Sequence, residues 1–493
     1  MRLLDLAVIV IYLAATATVG LMLSGRQRDS SAYFIGERDL PWWAVCFSIV
    51  ATETSTLTVI SVPGVAYLGA FGFVELAIGY LVARTVVAFV LLPLYMRGGF
   101  VSAYQYLQAR FGTGLQVVAS ITFLVTRLLA EGVRLFASAI PIKLLADAIG
   151  MPTDYVTIIV GLSLITLVYT YAGGIRAVIW TDAMQMLLYV GGAVLCAAIL
   201  LHEVGWSSLG LAYHAGKFQV LNFTAPMLTS PFNWIAAIVG GAVFGMASHG
   251  SDQLLVQRVL ACRNLSDGRK AMIGSAVVVG IQFALFSLVG TLLWLHFGGK
   301  SIAELGLRSS DELFPRFIID DLPAGVSGLL IAGILAATMG SLSSALNAMA
   351  NSTIADLWRA LRWKAADEKT MLRLSRLFTI VWAALMAGFA CMFTDTKSQV
   401  VLLGLGIAGY TYGAMLGAFI LGLVIKRANQ GDAIVAFIAT LVVMTWTVRS
   451  YALAFTWYVP LGVIVTLVVG GPLSLRHPRE TARPDTVVGK VAS

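Results

Sequence analysis

Ala51-Thr52-Glu53-Thr54-Ser55-Thr56, followed by Thr58 and then Pro63-Gly64, is the stretch that decides the fold. It lies at the centre of an apolar run from Trp42 to Gly69 that is long enough to cross a bilayer. A carboxylate and a string of hydroxyls at membrane depth are costly unless they face water, an ion or a substrate. The segment therefore reads as part of a site rather than as an anchor.

Its surroundings agree. The 493 residues are 59% hydrophobic and only 12% charged, against about 25% charged in soluble domains. About thirteen apolar runs of roughly 17–30 residues recur from end to end, too long and too unalternating for barrel strands. The expected fold class is an all-α polytopic membrane protein with about 13 transmembrane helices, forming a single transporter domain over 1–475. Core helices are expected over 42–203 and 231–425, with peripheral helices at 4–23, 432–448 and 453–474 and a short cytoplasmic tail at 476–493. The run at 4–23 exceeds a signal-peptide core and reads as a retained helix. Loop 355–373, dense in both charge signs, reads as solvated, and 298–323 as a loop carrying a short surface helix.

The net charge of +8 is explained by topology. Placing the N-terminus outside and the C-terminus in the cytoplasm puts most basic residues on the inner face, among them Arg26, Arg28, Arg97, Arg110, Arg263, Arg362, Lys364 and Lys426. That pattern excludes nucleic acid as a partner and leaves the lipid bilayer of the cytoplasmic membrane. Cys46, Cys196, Cys262 and Cys391 are scattered, without metal spacing or a disulfide framework. No HExxH, GxSxG or Walker-type loop occurs, so the chain reads as a non-enzyme.

A second interruption follows five apolar segments later. There Gly240-Gly241 and Gly245 precede Ser248-His249-Gly250-Ser251-Asp252-Gln253. Broken helices at matching positions of two halves mark inverted-repeat transporters, whose broken backbone supplies carbonyls to cations and helix ends to substrates. Sodium suits such carbonyls together with hydroxyls. The run Ala336-Ala337-Thr338-Met339-Gly340-Ser341-Leu342-Ser343-Ser344 places Ser341 and Ser344 on one helix face, with the Ala337 carbonyl one turn below Ser341. Close helix packing explains the same small residues.

Asp182, in Trp180-Thr181-Asp182, needs a cation or a helix dipole. Arg127, Glu131 and Arg134 share a face, which suits mutual pairing or an anionic substrate at Arg134. Arg84 reads as paired or water-lining. His249 reads as a satisfied polar group or a pocket residue.

These residues resemble the sodium/solute symporter family, which includes bacterial sodium/galactose, sodium/proline and sodium/sialic-acid symporters. The likeness is carried by Tyr33-Phe34-Ile35-Gly36 before Leu40-Pro41-Trp42-Trp43, and by Tyr169-Thr170-Tyr171-Ala172-Gly173-Gly174 leading to Trp180-Thr181-Asp182. Asp252-Gln253-Leu254-Leu255-Val256-Gln257-Arg258, the serine run and Gly413-Ala414-Met415-Leu416-Gly417-Ala418-Phe419 complete it. It implies a LeuT-like five-plus-five inverted-repeat core and alternating access.

The resemblance also implies Na+ as the coupling ion. A main sodium site would use the carbonyls of Ala51, Thr54 and Ala337 and the hydroxyl of Ser341. The family's preceding hydroxyl is missing here, because that position is Gly340, and Glu53 is the expected helper. A second site would use Asp182, Ser343 and Ser344. The expected solute lining is Glu53, Ser55, Thr56, Thr58, Tyr80, Ser248, His249, Ser251, Gln282 and Tyr410.

The function expected is sodium-coupled symport of a small polar solute into the cytoplasm, by a protein working as a monomer. Proton coupling through Glu53, Asp182 or His249 is the rival expectation, and a transporter-like membrane sensor is a remote one.

Overall fold

The computed structural model describes residues 3–22, 30–36, 38–148, 150–361, 367–393 and 400–477. Arg26, Arg28, Arg362, Lys364 and the tail beyond 477, used above for topology, lie outside the described residues.

The described chain is helical, with one isolated bridge between Leu40 and Cys262. In order the helices are α1 (Leu3–Met22), α2 (Ser30–Ile35), α3 (Trp42–Glu53), α4 (Thr56–Leu68), α5 (Gly72–Val90), α6 (Leu92–Arg97), α7 (Tyr104–Phe111) and α8 (Thr113–Ala148). They continue with α9 (Tyr155–Val204), α10 (Leu209–His214), α11 (Gly241–Gly250), α12 (Gln253–Leu260) and α13 (Leu265–His296). The last are α14 (Leu313–Asp320), α15 (Val326–Ser352), α16 (Glu368–Met392), α17 (Val400–Val424), α18 (Gln430–Ser450) and α19 (Tyr458–Ser474). Among the described residues, ten helices are long and apolar enough to span a membrane; the bent pair α3–α4 and two shorter apolar helices, 155–171 and 236–250, account for the remaining expected segments.

The two interruptions have local causes. After Glu53 the chain turns extended at Thr54 (ψ 97°) and Ser55 (ψ 174°), and α4 leaves at 65° to α3. Three consecutive hydroxyl residues, whose side chains compete for backbone hydrogen bonds, do not favour continuing the helix. In the second interruption α11 ends at Gly250, and Asp252 turns extended and caps α12 by accepting from Leu254 N at 2.8 Å. The approach to α11 is a π-helical turn over Ala236–Gly240, a form common near functional sites.

The segments expected at 153–173 and 178–203 join as the 50-residue α9, which kinks at Gly174. Gly174 has φ 56°, and a Cβ there would lie 2.8 Å from the Tyr33 carbonyl, so both the turn and the close approach need glycine.

Burial sorts the helices. The apolar window of α15 is 94% buried, whereas those of α1, α16 and α19 are only 22–28% buried. The serine helix is thus the centre of the bundle, packed on α9, α1 and α8, and α1, α16 and α19 are the least buried of these spans.

Two loop expectations need correction. The stretch from 355 begins inside the protein, because α15 continues as a π-helix to Trp358 and Asp356 is fully buried. Asp356 accepts from Ser102 Oγ (2.8 Å), Gln116 Nε2 (3.0 Å) and Ser352 Oγ (3.0 Å), which compensates its burial. The helix expected on the surface within 298–323, α14, buries Leu313, Phe314, Phe317 and Ile318 against the bundle.

Candidate ion and solute site

At the first break the helical ladder lapses. Thr54 N bonds to Val50 O (2.8 Å) and Thr58 N to Ser55 O (2.9 Å). No backbone donor among the described residues reaches the carbonyls of Ala51, Thr52, Glu53 or Thr54. Unpaired buried carbonyls are the groups a bare cation can ligate. The break faces α15 through hydroxyls: Thr52 Oγ1 lies 3.3 Å from Ser344 Oγ, and Thr56 Oγ1 bonds to Thr338 Oγ1 and to Ile334 O at 3.3 Å. Ser341 is buried and donates to Ala337 O (3.1 Å) and Thr338 O (3.0 Å), keeping its hydroxyl beside the expected carbonyl ligand.

Asp182 lies about two turns beyond the Gly174 kink, not in the first turn of a helix. Its charge partner is Arg258 of α12, whose Nη2 is 3.4 Å from Oδ2; both side chains are fully buried. Oδ2 also accepts from Ser48 (2.7 Å) and Ser344 (3.3 Å). Arg258 Nη2 bonds Ser344 as well, while Nε donates to Ser48 (3.1 Å) and Nη1 to the Leu254 carbonyl (2.6 Å). Ser343 instead turns to the Gly340 carbonyl at 3.1 Å.

Beside the break lies a cavity of about 710 Å³, its open mouth included. Its walls are Thr52, Glu53, Ser55, Leu57 and Thr58 from the break, Phe73 and Tyr80 from α5, and Arg127 and Arg134 from α8. Phe244, Ser248, Leu254 and Leu255 contribute from the second break and Phe283 from α13. Val401, Gly404, Leu405, Ala408 and Tyr412 come from α17. An apolar, aromatic lining with a few convergent polar groups is the usual character of a small-molecule site.

The charges around it are paired. Glu53 bonds Arg84, which also donates to Ser275 (2.6 Å). Arg127 bonds Asp252 and Tyr412 (2.6 Å) and lies 3.1 Å from Glu131. Arg134 meets Glu131 through Nη1 alone (3.0 Å), and its buried Nε has no hydrogen-bond partner.

Of the expected lining, Glu53, Ser55, Thr58, Tyr80 and Ser248 face the cavity. Thr56 points into α15 and Ser138. His249 is buried, with Nδ1 on Ser248 Oγ (2.8 Å) and Nε2 3.8 Å from Glu53. Ser251 folds back on Ala247 O (2.8 Å), and Gln282 donates to Thr54 Oγ1 (2.7 Å).

Tyr410 needs correction: its hydroxyl bonds Thr445 of α18, on the far side of α17 from the cavity. Tyr412 lines the cavity instead, and the signal was present, since Gly404, Ala408 and Tyr412 recur every four residues on one helix face. Glu53 is likewise not the substitute for the hydroxyl missing at Gly340. Its carboxylate is bound to Arg84, while Gly340 faces Asp182 and Gln185.

Two broken helices, a hydroxyl-bearing central helix against the first break and a charge-lined cavity between them define a secondary transporter. Residues 33–440 match the sodium:solute symporter family, and the chain belongs to that family. It is a sodium-coupled symporter of a small polar solute working by alternating access, and not an enzyme.

Among its relatives is the sodium/sialic acid symporter SiaT of Proteus mirabilis, 28% identical over 95% of this chain and 94% of that protein. The human sodium/iodide cotransporter is 26% identical over 92% of this chain and 70% of its own length. A substrate-bound, outward-open structure of a sodium-coupled sialic acid symporter aligns with TM-score 0.86 and 27% identity, over 97% of this chain and 98% of that one. The fold is also shared, at TM-score 0.57 and 14% identity, by the nucleobase-cation symporter Mhp1 in a closed conformation, over 94% of this chain and 99% of that one.

Proposed function

We propose that the solute carries a carboxylate and hydroxyls, and that Arg134 is its anchor. The observation that carries this is the half-committed guanidinium of Arg134. It lines the cavity, gives one nitrogen to Glu131 and keeps a buried N–H without a partner. A guanidinium fork matches a carboxylate bidentately. Arg127, by contrast, is tied to Asp252, Glu131 and Tyr412. Ser55, Thr58 and Ser248 offer hydroxyl partners to the rest of the solute. The relative SiaT is named for sialic acid, a polyhydroxylated acid, which agrees with this chemistry.

In this reading the main sodium lies among the carbonyls of Ala51, Thr54 and Ala337 and the hydroxyl of Ser341. Asp182, with Ser343 and Ser344, forms a second cation site. The breaks five segments apart support two inverted five-helix halves, α3–α9 and the stretch from α11 to α17. The protein works as a monomer, with its N-terminus outside and its C-terminus in the cytoplasm, as the basic loops favour. Each inward sodium contributes about 2.3 kcal/mol per 100 mV. A tenfold gradient adds about 1.4 kcal/mol. One ion then supports roughly 500-fold accumulation and two roughly 10⁵-fold.

A thermal-shift screen of hydroxylated acids, their amides and neutral sugars, in sodium and in choline, tests the reading. An acid that stabilises the protein only in sodium, and whose amide does not, is the expected result. Equal stabilisation by the amide or by a neutral sugar would remove Arg134 as the anchor.

A further inference from the structure

The end of α5 lies against the beginning of α13, and one arginine marks the join. Arg269 Nε donates to the Ala88 carbonyl at 3.1 Å, and its guanidinium carbon lies 4.6 Å from the centroid of the Phe89 ring. Ala88 falls in the last turn of α5, where helical carbonyls run out of N–H partners, and Pro93 at the start of α6 brings no N–H to this turn. The guanidinium is therefore fixed along one edge and idle along the other. Its Nη1 and Nη2 bond nothing among the described residues.

More positive charge gathers at the same place. Lys270 follows Arg269 and is exposed. Arg97, also exposed, ends α6 next to Met96, whose sulfur would lie 3.3 Å from a Cβ on Gly268. Neither Arg97 nor Lys270 has an ion pair among the described residues. The carboxylate of this turn, Asp267, lies 3.5 Å from Asn264 Nδ2. Below the charges the surface is apolar. Val86, Phe89 and Val90 of α5 are 38%, 56% and 47% exposed, and Val277 and Ile281 of α13 are 50% and 66% exposed. On spans of this hydropathy such a face meets acyl chains.

We propose that Arg269, with Arg97 and Lys270, is a headgroup site for an anionic phospholipid of the surrounding bilayer. The phosphate takes the free edge of the Arg269 fork, which matches phosphate oxygens bidentately. The acyl chains run down the apolar face of α5 and α13, so charge complementarity and continuity with the lipid-facing surface identify the same occupant. Phe89 and Ala88 hold the fork in place before the lipid arrives, which lowers the ordering cost of binding. On the topology proposed above, the site faces the cytoplasmic leaflet.

The test is thermal unfolding of the purified full chain in dodecyl maltoside, titrated with phosphatidylglycerol. Phosphatidylcholine of the same acyl chains is the neutral control, and glycerol phosphate is the headgroup without a lipid. Arg269→Gln removes the fork, and Lys300→Gln removes one exposed positive charge from the opposite end of α13. The Tm of each variant in phosphatidylcholine checks its folding. Expected is stabilisation by phosphatidylglycerol alone, with a half-saturating concentration raised about fivefold in Arg269→Gln and unchanged in Lys300→Gln, fivefold being equivalent to about 1 kcal/mol. Equal shifts in the two variants would reduce the effect to net charge and overturn the site. Equal stabilisation by phosphatidylcholine would remove the anionic headgroup, and equal stabilisation by glycerol phosphate would replace the lipid by a free phosphate; either result overturns the proposal.

Discussion

Arg258 and Asp182 form an ion pair at 3.4 Å in the centre of the bundle, with both side chains fully buried. The pair joins α12, beyond the second helix break, to α9, and Ser48 of α3 hydrogen-bonds both partners. Elements on the two sides of the transporter are thus tied by one carboxylate.

Breaking this pair from one side is expected to be severe. Arg258→Met alone leaves the Asp182 carboxylate without its cation, at a cost of about 3–5 kcal/mol. The double variant Asp182→Asn/Arg258→Met leaves neither charge, and most of the loss should return. Thermal unfolding of the two variants and the wild type in detergent reads the difference. A double variant no more stable than Arg258→Met would show that packing, not charge, holds this region.

In the proposed second cation site, sodium would share Asp182 with Arg258. Sodium-titrated uptake by Asp182→Ala should therefore show a lower Hill coefficient or a weaker sodium affinity than the wild type. An unchanged coefficient together with unchanged affinity would remove Asp182 from the ion path.

Arg134 is expected to act on solute affinity. Hydrogen bonds to charged groups are worth about 1.5–3 kcal/mol, so Arg134→Ala should raise KM for uptake by roughly 10–150-fold. Arg134→Lys keeps the charge but loses the fork, and should recover only part of the affinity. Uptake of a radiolabelled acid at saturating sodium checks both. A KM unchanged in Arg134→Ala would place the anchor elsewhere.

Gly79 marks where α5 touches the π-helical approach to α11. A Cβ there would lie 2.6 Å from Ile238 O, 2.8 Å from Ala242 N and 2.9 Å from Ala237 O, all rigid backbone. Gly79→Ala should cost about 1–3 kcal/mol through overpacking, although alanine favours a helix. Thermal stability compared with Gly388→Ala, where a Cβ meets nothing within 4 Å, isolates the contact.

Asp356 has hydroxyl and amide partners and no ion pair among the described residues. Asp356→Ala should destabilise by about 1–3 kcal/mol, because Ser102, Gln116 and Ser352 then hold buried polar groups with fewer partners. Asp356→Asn, which keeps the shape and one acceptor, should lose less. The order of the two melting temperatures is the readout.

The helical segments and both breaks were legible in the order of residues alone. Bilayer thickness sets segment length, and a polar run such as Thr54-Ser55-Thr56 or Ser251-Asp252 is legible wherever it interrupts an apolar one. That order also identified Asp182, Arg127, Glu131 and Arg134 as charges in need of partners, since no lone charge is stable in a bilayer.

The identity of those partners came from the packed bundle. Arg258 meets Asp182 from 76 positions away, and Arg84 meets Glu53 across α5 and the break. It also decided that Tyr412 rather than Tyr410 faces the cavity, and that Gly340 faces Gln185 rather than Glu53. Helical periodicity tells which residues share a face. Which face meets which neighbour depends on the crossing of helices far apart in the chain, and that is a property of the packed bundle alone.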